Sequence, residues 1–280
     1  MGHRLGGHGA RDAVSRHRGP RIVQRIDRNG LAWYTFAGPG RDVVHACLTR
    51  LGGVSEGQWA ALNLGSTVGD DPRAVEENHR RVFDTFGITR AQVVSPFQVH
   101  GRNVVRVRAR DGGMVIPATD ALITDEPEVA LLLRFADCVP VLFYDPVQRA
   151  VGLAHAGWRG VAAGVAPATV QALTAAFGSR PQDVWAGIGP AIGPQHYSVG
   201  VEVVEAIQAA LPAGAQVATQ CDGHWMMDLP AALEAQLRAV GVTQVEQSGL
   251  CTASRVDEWY SHRAEAGRTG RFGVLVMLDR

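Results

Sequence analysis

The 280-residue chain has no lysine, and all 27 of its basic side chains are arginine. That absence removes Schiff-base chemistry through a lysine amine. Charge of one sign is also lacking. The 27 basic residues face 27 acidic ones, for a net charge of zero and an isoelectric point near 7.2. No global field therefore exists to hold nucleic acid or an anionic membrane surface, and neither is expected as a partner. Cysteine is sparse: Cys47, Cys138, Cys221 and Cys251 are widely spaced with no CxxC pair, which argues against a disulfide framework. No run approaches 18 apolar residues and the first 20 lack the apolar segment of a secretory signal, so a soluble, cytoplasmic protein is expected. The P-loop, HExxH, GxSxG and zinc-deaminase signatures are missing too. GIGPAIG at 187–193 is not GxGxxG, and its Pro190 suits a sharp turn rather than a dinucleotide-binding helix start.

What is present is a chain 46% hydrophobic and 19% charged, long enough for a large buried core. Residues 1–19, rich in Gly, His and Arg, read as a mobile tail, whose His3, His8 and His17 are not expected to be ligands. Residues 20–280 read as a single domain, since no linker and no internal repeat follow. LAWYTFAG at 31–38 is expected as a strand punctuated by Gly38-Pro39-Gly40, with a long loop or turn region after it. The stretch 49–71 holds five glycines and reads as a binding loop. Val75, His79, Val82, Phe83 and Phe86 fall at helical spacing behind Asp71-Pro72, predicting a capped helix over 72–87. From Val104 on, the segments VVRVR, DALIT, VALLLRF, VPVLFYD and AVGLAHA predict a sheet of several strands, at least some of them buried on both faces. VAPATVQALTAAFG, 200–211 and 229–240 read as helices, as does a pattern near 256–261, alternating with strands VWAGIG, VTQVEQS and RFGVLVML. The class is α/β with mixed sheets.

Chemistry-bearing residues gather at predicted strand ends: QVHG (98–101), ADC (136–138) and HAGWRG (155–160). An α/β sheet presents functional groups there, because the scaffold is rigid and the following loop is open to a ligand. His100, Cys138 and His155 form a ligand triple suited to zinc with an open fourth position. The same residues also allow a Cys-His nucleophilic pair, with His155 generating the Cys138 thiolate and Asp137 or Gln98 orienting it. Residue types and spacing leave these two open. Arg50, Arg159, Arg263, Arg268 and Arg271 lie in Gly-containing contexts where guanidinium and backbone N–H groups can meet an oxyanion. Ser55 and Asn63 could supply hydrogen bonds to a sugar or base.

GGVS (52–55), LNLG (62–65), VGDDP (68–72), QVHG, ADCVPV (136–141), GLAHAGWRG (152–160), GIGPAIGPQHYSVG (187–200) and CTASRVDEWYSHRAEAGRTGR (251–271), in this order, resemble the laccase-domain family. Its bacterial members were long described as multicopper polyphenol oxidases, and the family is associated with purine nucleoside phosphorolysis and adenosine deamination. The resemblance implies a layered α/β/β/α sandwich with mixed sheets. It implies a metal site, zinc or else copper, on His100, Cys138 and His155, and substrate contacts from Arg50, Ser55 and Arg263. We add Asn63 and Arg159 as substrate contacts and Asp137 as an acid or base partner. The implied activity is phosphorolysis of adenosine, inosine, guanosine and methylthioadenosine, with adenosine deamination. Purine nucleosides and phosphate are the expected partners, on a monomer or small homo-oligomer.

Two departures from the family pattern stand out: Ser198 where relatives carry an acidic residue, and Ala264-Glu265 where they carry Arg-Asp. A copper oxidase, the rival the family name implies, needs many more histidines, arranged largely as HxH and HCH sets, and this chain has no such pair. A hydrolase using Cys138 as nucleophile, or a metal-dependent binding module without turnover, are the remaining alternatives.

Overall fold

The computed structural model describes residues 23–279. The tail expected at 1–19 lies outside the described residues. Two sheets form the centre, one of seven strands and one of six, and a small three-stranded sheet sits beside them. Period-2 burial on the central strands explains the layering. On the strand Ala130–Phe135, Leu131, Leu133 and Phe135 enter the core between the two sheets, while Ala130 and Leu132 face the opposite way. On Val139–Asp145 of the second sheet, Leu142 and Tyr144 face the same inter-sheet core, and Val141 and Phe143 face outward.

Each outer face is then covered by helices. Helix α1, Pro72–Phe86, packs Val82 and Phe83 onto the seven-stranded sheet. Its start is set by the Asp71 carboxylate accepting from the Arg73 N–H with Pro72 in the first turn, and its end by Gly87 in the left-handed region at φ 65°. Four helices cover the six-stranded sheet: α2 (Trp158–Ala163), α3 (Val165–Phe177), α4 (Val201–Gln208) and α5 (Leu229–Ala239). The order of layers is α/β/β/α, as expected, with both parallel and antiparallel pairs in each large sheet. None of the described helices is long and apolar enough to cross a membrane.

Two expectations are corrected. The region after Gly40 is not all loop, because Val43–Leu48 forms a strand that pairs with both Leu31–Phe36 and Phe272–Leu278. Residues 256–261 are turns rather than helix. Their carbonyls are used elsewhere: the Arg50 guanidinium donates to the Val256 and Trp259 oxygens, and the Arg50 N–H donates to the Glu258 oxygen. A helix over these residues would have to reclaim those acceptors.

Candidate active site

The sandwich has one end where the chain crosses repeatedly between the sheets, and the three candidate ligands meet there. His100 lies on the crossing from Val93–Pro96 in the seven-stranded sheet to Val104–Arg106 in the six-stranded one. Cys138 lies on the crossing from Ala130–Phe135 to Val139–Asp145. His155 is the penultimate residue of Ala150–Ala156, and its ring stands 5.5 Å from that of Phe135. One ligand atom from each of the three falls within 4.8 Å of the others, the only such cluster among the described residues. Two imidazoles and a thiol at this separation suit a soft, four-coordinate ion such as zinc, and also copper.

Asp120 orders this cluster, and sequence reasoning missed it. Its fully buried carboxylate accepts from four donors. His155 Nδ1 and the His100 N–H reach Oδ1 at 3.0 and 2.9 Å, and the N–H groups of Gly101 and Val99 reach Oδ2 at 2.7 and 3.3 Å. The bond to Nδ1 leaves His155 Nε2 free to face the cluster, as metal-binding histidines require. The N–H bonds hold His100 at φ +61°, a left-handed conformation uncommon outside glycine. Burial opposes ionisation of Asp120, yet the bonds from His155 and Gly101 hold its carboxyl below the ordinary range.

Burial likewise pushes the Cys138 thiol up, but the attraction of His155 and hydrogen bonds from both imidazoles outweigh it and bring the thiol well down. His155 is pushed down by burial and raised further by Cys138 and Asp120, so it ends above its usual value. Both shifts favour the ligating, thiolate form of the sulfur beside a protonated imidazole. Gly157 completes the packing. A Cβ there would lie 2.9 Å from His100 Cδ2 and 3.0 Å from Cys138 Sγ. Its φ of −75° suits any residue, so the obstacle is steric. Gly157→Ala is expected to weaken binding of added zinc about tenfold or more in a competition titration; unchanged affinity would mean that the ligands have room to shift.

Asp137 adopts φ +80°, turning the chain into Cys138. Both of its oxygens are engaged: Oδ1 accepts from Thr252 Oγ1 at 2.6 Å and Ser261 Oγ at 2.7 Å, and Oδ2 from the Arg263 N–H at 2.6 Å.

The cluster forms part of the wall of a cavity of about 670 Å³, a size usual for small-molecule sites of about 300–1,000 Å³. Arg134, Arg159, Arg263 and Arg271 all line it. Among the described residues none of these four guanidinium groups lies within ion-pair distance of a carboxylate. Arg159 stacks on Trp158 at 4.3 Å, and Arg263 lies over Tyr197 at 5.1 Å while donating to the Ser198 carbonyl. That carbonyl bond needs no acidic side chain at 198. Of the sequence-derived candidates, Gln98, His100, Asp137, Cys138, His155, Arg159, Arg263 and Arg271 come together here.

Arg50, Ser55 and Asn63 do not reach the cavity wall. Arg50 is spent on Glu265 at 2.9 Å, on three backbone carbonyls and on the Tyr260 ring. Glu265, the departure noted in sequence, is therefore the counter-ion of Arg50 rather than a cavity residue. Ser55 and Asn63 both donate to Asp70 Oδ2, at 2.6 and 2.8 Å, in a buried network behind the wall. Arg134 was legible as a charge inside the apolar run VALLLRF, and Tyr197 and Gly157 gave no signal that distinguished them.

The family model for the multi-copper polyphenol oxidoreductase laccase matches residues 44–279. Purine nucleoside phosphorylase PA4543 of Pseudomonas aeruginosa is 42% identical over 251 residues, covering 89% of this chain and 99% of that protein. Purine nucleoside phosphorylase YlmD of Geobacillus stearothermophilus is 38% identical over 272 residues, covering 93% and 98%. A crystal structure of YlmD from Geobacillus stearothermophilus matches with a TM-score of 0.89 at 36% identity, covering 93% of this chain and all of that one. Bacillus licheniformis YfiH, titled a hypothetical protein, gives a TM-score of 0.83 at 33% identity over 91% and 98%. With the match running through both large sheets and the cluster between them, the chain belongs to the multi-copper polyphenol oxidoreductase laccase family.

Proposed function

We propose that the protein is a zinc-dependent purine nucleoside phosphorylase, acting on adenosine, inosine, guanosine and methylthioadenosine, that also deaminates adenosine. The observation that carries this reading is one cavity holding both a His-Cys-His cluster and four arginines without acidic partners. Such a cavity attracts an oxyanion and a polar neutral ligand together. The relatives named purine nucleoside phosphorylase support it.

In phosphorolysis a phosphate oxygen forms a bond to ribose C1′ while the C1′–N9 bond breaks, its electron pair leaving with the purine. Arginines hold the phosphate in line and neutralise the charge spread over its oxygens. Trp158, Tyr197 and Phe97 give the cavity aromatic walls for a purine, with Arg159 and Arg263 as substrate contacts at that end. His100, Cys138 and His155 would hold the zinc, which when bound supplies Lewis-acid polarisation and an activated water for attack at purine C6. We assign Asp137 a holding role rather than proton transfer, because its three hydrogen bonds engage both oxygens and anchor the Arg263 backbone.

One observation favours a second reading: Cys138, His155 and Asp120 line up as nucleophile, base and orienting carboxylate. His100 crowds the same sulfur, which suits a ligand set better than an open nucleophile. For a multicopper oxidase, the single cluster among the described residues offers three ligands, too few for several coppers.

The test is an assay of metal-analysed protein with adenosine, inosine and methylthioadenosine, with and without phosphate, following base, inosine and sugar phosphate by chromatography. Phosphate-dependent base release with about one zinc per chain is expected. Phosphate-independent base release, or oxidation of a phenol by copper-loaded protein with no nucleoside turnover, would overturn the reading.

A further inference from the structure

We propose that Arg134, Arg271 and the turn 65–67 form the subsite for inorganic phosphate, separate from the Arg159 and Arg263 end of the cavity. The inference deepens the phosphorylase reading and rests on it for its physiological meaning. Arg134 stands opposite Gly273 on paired strands, and Arg271 is two residues before Gly273. By the period of two, both side chains leave the same face of the sheet as diagonal neighbours. Both are half-buried and both line the cavity. Each of these charges is partly withdrawn from water and has no carboxylate within ion-pair distance among the described residues, a cost that a bound anion would relieve.

Each arginine is held for the task. Gln98 brackets the Arg134 backbone, donating to its carbonyl at 2.9 Å and accepting from its N–H at 3.1 Å, while one guanidinium nitrogen donates to the Pro96 carbonyl at 3.1 Å. The Arg271 guanidinium donates to the carbonyls of Thr269 and Gly270 at 3.0 and 2.8 Å through a single nitrogen, and its remaining N–H groups have no acceptor among the described residues.

The turn supplies the rest of the cradle. Asn63 Oδ1 accepts from both the Gly65 N–H at 2.9 Å and the Arg271 N–H at 2.8 Å, tying the turn to the arginine. Gly65 lets them touch, since a Cβ there would fall 2.8 Å from Arg271 Cγ. Beyond Gly65, the N–H and hydroxyl groups of Ser66 and Thr67 donate to no described residue, and both residues line the cavity. Two guanidinium groups, two backbone N–H groups and two hydroxyls match the oxygens of a tetrahedral dianion. This also gives Asn63 a role as a positioning residue behind the subsite.

The experiment measures inorganic phosphate binding to the zinc-loaded full chain by calorimetry, with no nucleoside present. Arg134→Met and Arg271→Met are each expected to weaken phosphate binding at least tenfold with zinc content unchanged, and Arg159→Met to leave it within threefold. In parallel, phosphate is expected to protect Arg134 and Arg271 of the unsubstituted protein from phenylglyoxal, read by peptide mass spectrometry, which decides the matter even where a variant does not fold. Unaltered phosphate binding in Arg134→Met, or protection of Arg159 and Arg263 instead, would overturn the subsite. Loss of nucleoside turnover from the functional reading would leave this binding result standing, so the two failures are distinguishable.

Discussion

If the protein acts as proposed, replacing His100 by alanine or asparagine will strip zinc from it and lower phosphorolysis and deamination together, on the order of a thousandfold, the several kcal/mol that a bound ion contributes. His100 is the cleanest of the three ligands to change. It is exposed, whereas His155 is buried against Phe135 and its removal would also open the inter-sheet core. The asparagine variant matters because His100 sits at φ +61°, where alanine carries a backbone penalty of about 1 kcal/mol that asparagine largely escapes. Equal losses in the two variants would therefore trace to the missing imidazole rather than to the backbone. Chelated unsubstituted protein should behave like the variants. Full activity in metal-free protein, or in His100→Asn, would take the metal out of both reactions. Loss of one activity with retention of the other would show that only that reaction uses the cluster.

Much of this site was legible in the sequence because strand ends are. AVGLAHA, VPVLFYD and VALLLRF announced buried strands through their predominantly apolar runs, and they are Ala150–Ala156, Val139–Asp145 and Ala130–Phe135. The polar residues at or just past strand ends had few structural reasons to be there, which singled out His100, Cys138 and His155. What the runs could not tell is that two of these strands belong to different sheets. The crossing at 136–138 that brings Cys138 to His155 depends on Asp137 holding φ +80°, supported by Thr252 and Ser261 more than a hundred residues away. The same non-locality misdirected the arginines. Arg50 and Arg263 both sit near glycines, yet one meets Glu265 and the other a cavity. Only the tertiary position of a carboxylate separates a structural arginine from one able to bind an anion. The turns at 256–261 carry helical periodicity, but Arg50, distant in sequence, takes their carbonyls.

Asp120 shows the limit most clearly and carries the second large prediction. Nothing in DALIT distinguishes its aspartate from a residue capping a strand, yet its carboxylate orients both histidines. Asp120→Asn is expected to weaken zinc binding about ten- to a hundredfold, the usual cost of losing the partner behind a metal-binding histidine. An amide has one accepting oxygen and one donating NH₂, and each carboxylate oxygen now serves two donors. If the NH₂ takes the Oδ1 position, it faces His155 Nδ1 and favours the tautomer with the proton on Nε2, the nitrogen needed by the metal. If it takes the Oδ2 position, the Gly101 and Val99 N–H groups lose their acceptor, and the turn that presents His100 is released. Each buried donor left unmade costs about 1–3 kcal/mol, so a lower melting temperature is expected as well. Destabilisation alone does not establish the orienting role. The deciding comparison is between variants at saturating zinc: Asp120→Asn keeps all three ligands and should regain much of its activity, whereas His100→Asn should not. Zinc affinity of Asp120→Asn within twofold of the unsubstituted protein would mean that the ligands are positioned by packing against Phe135 and Gly157 alone, with the carboxylate serving only to satisfy the turn.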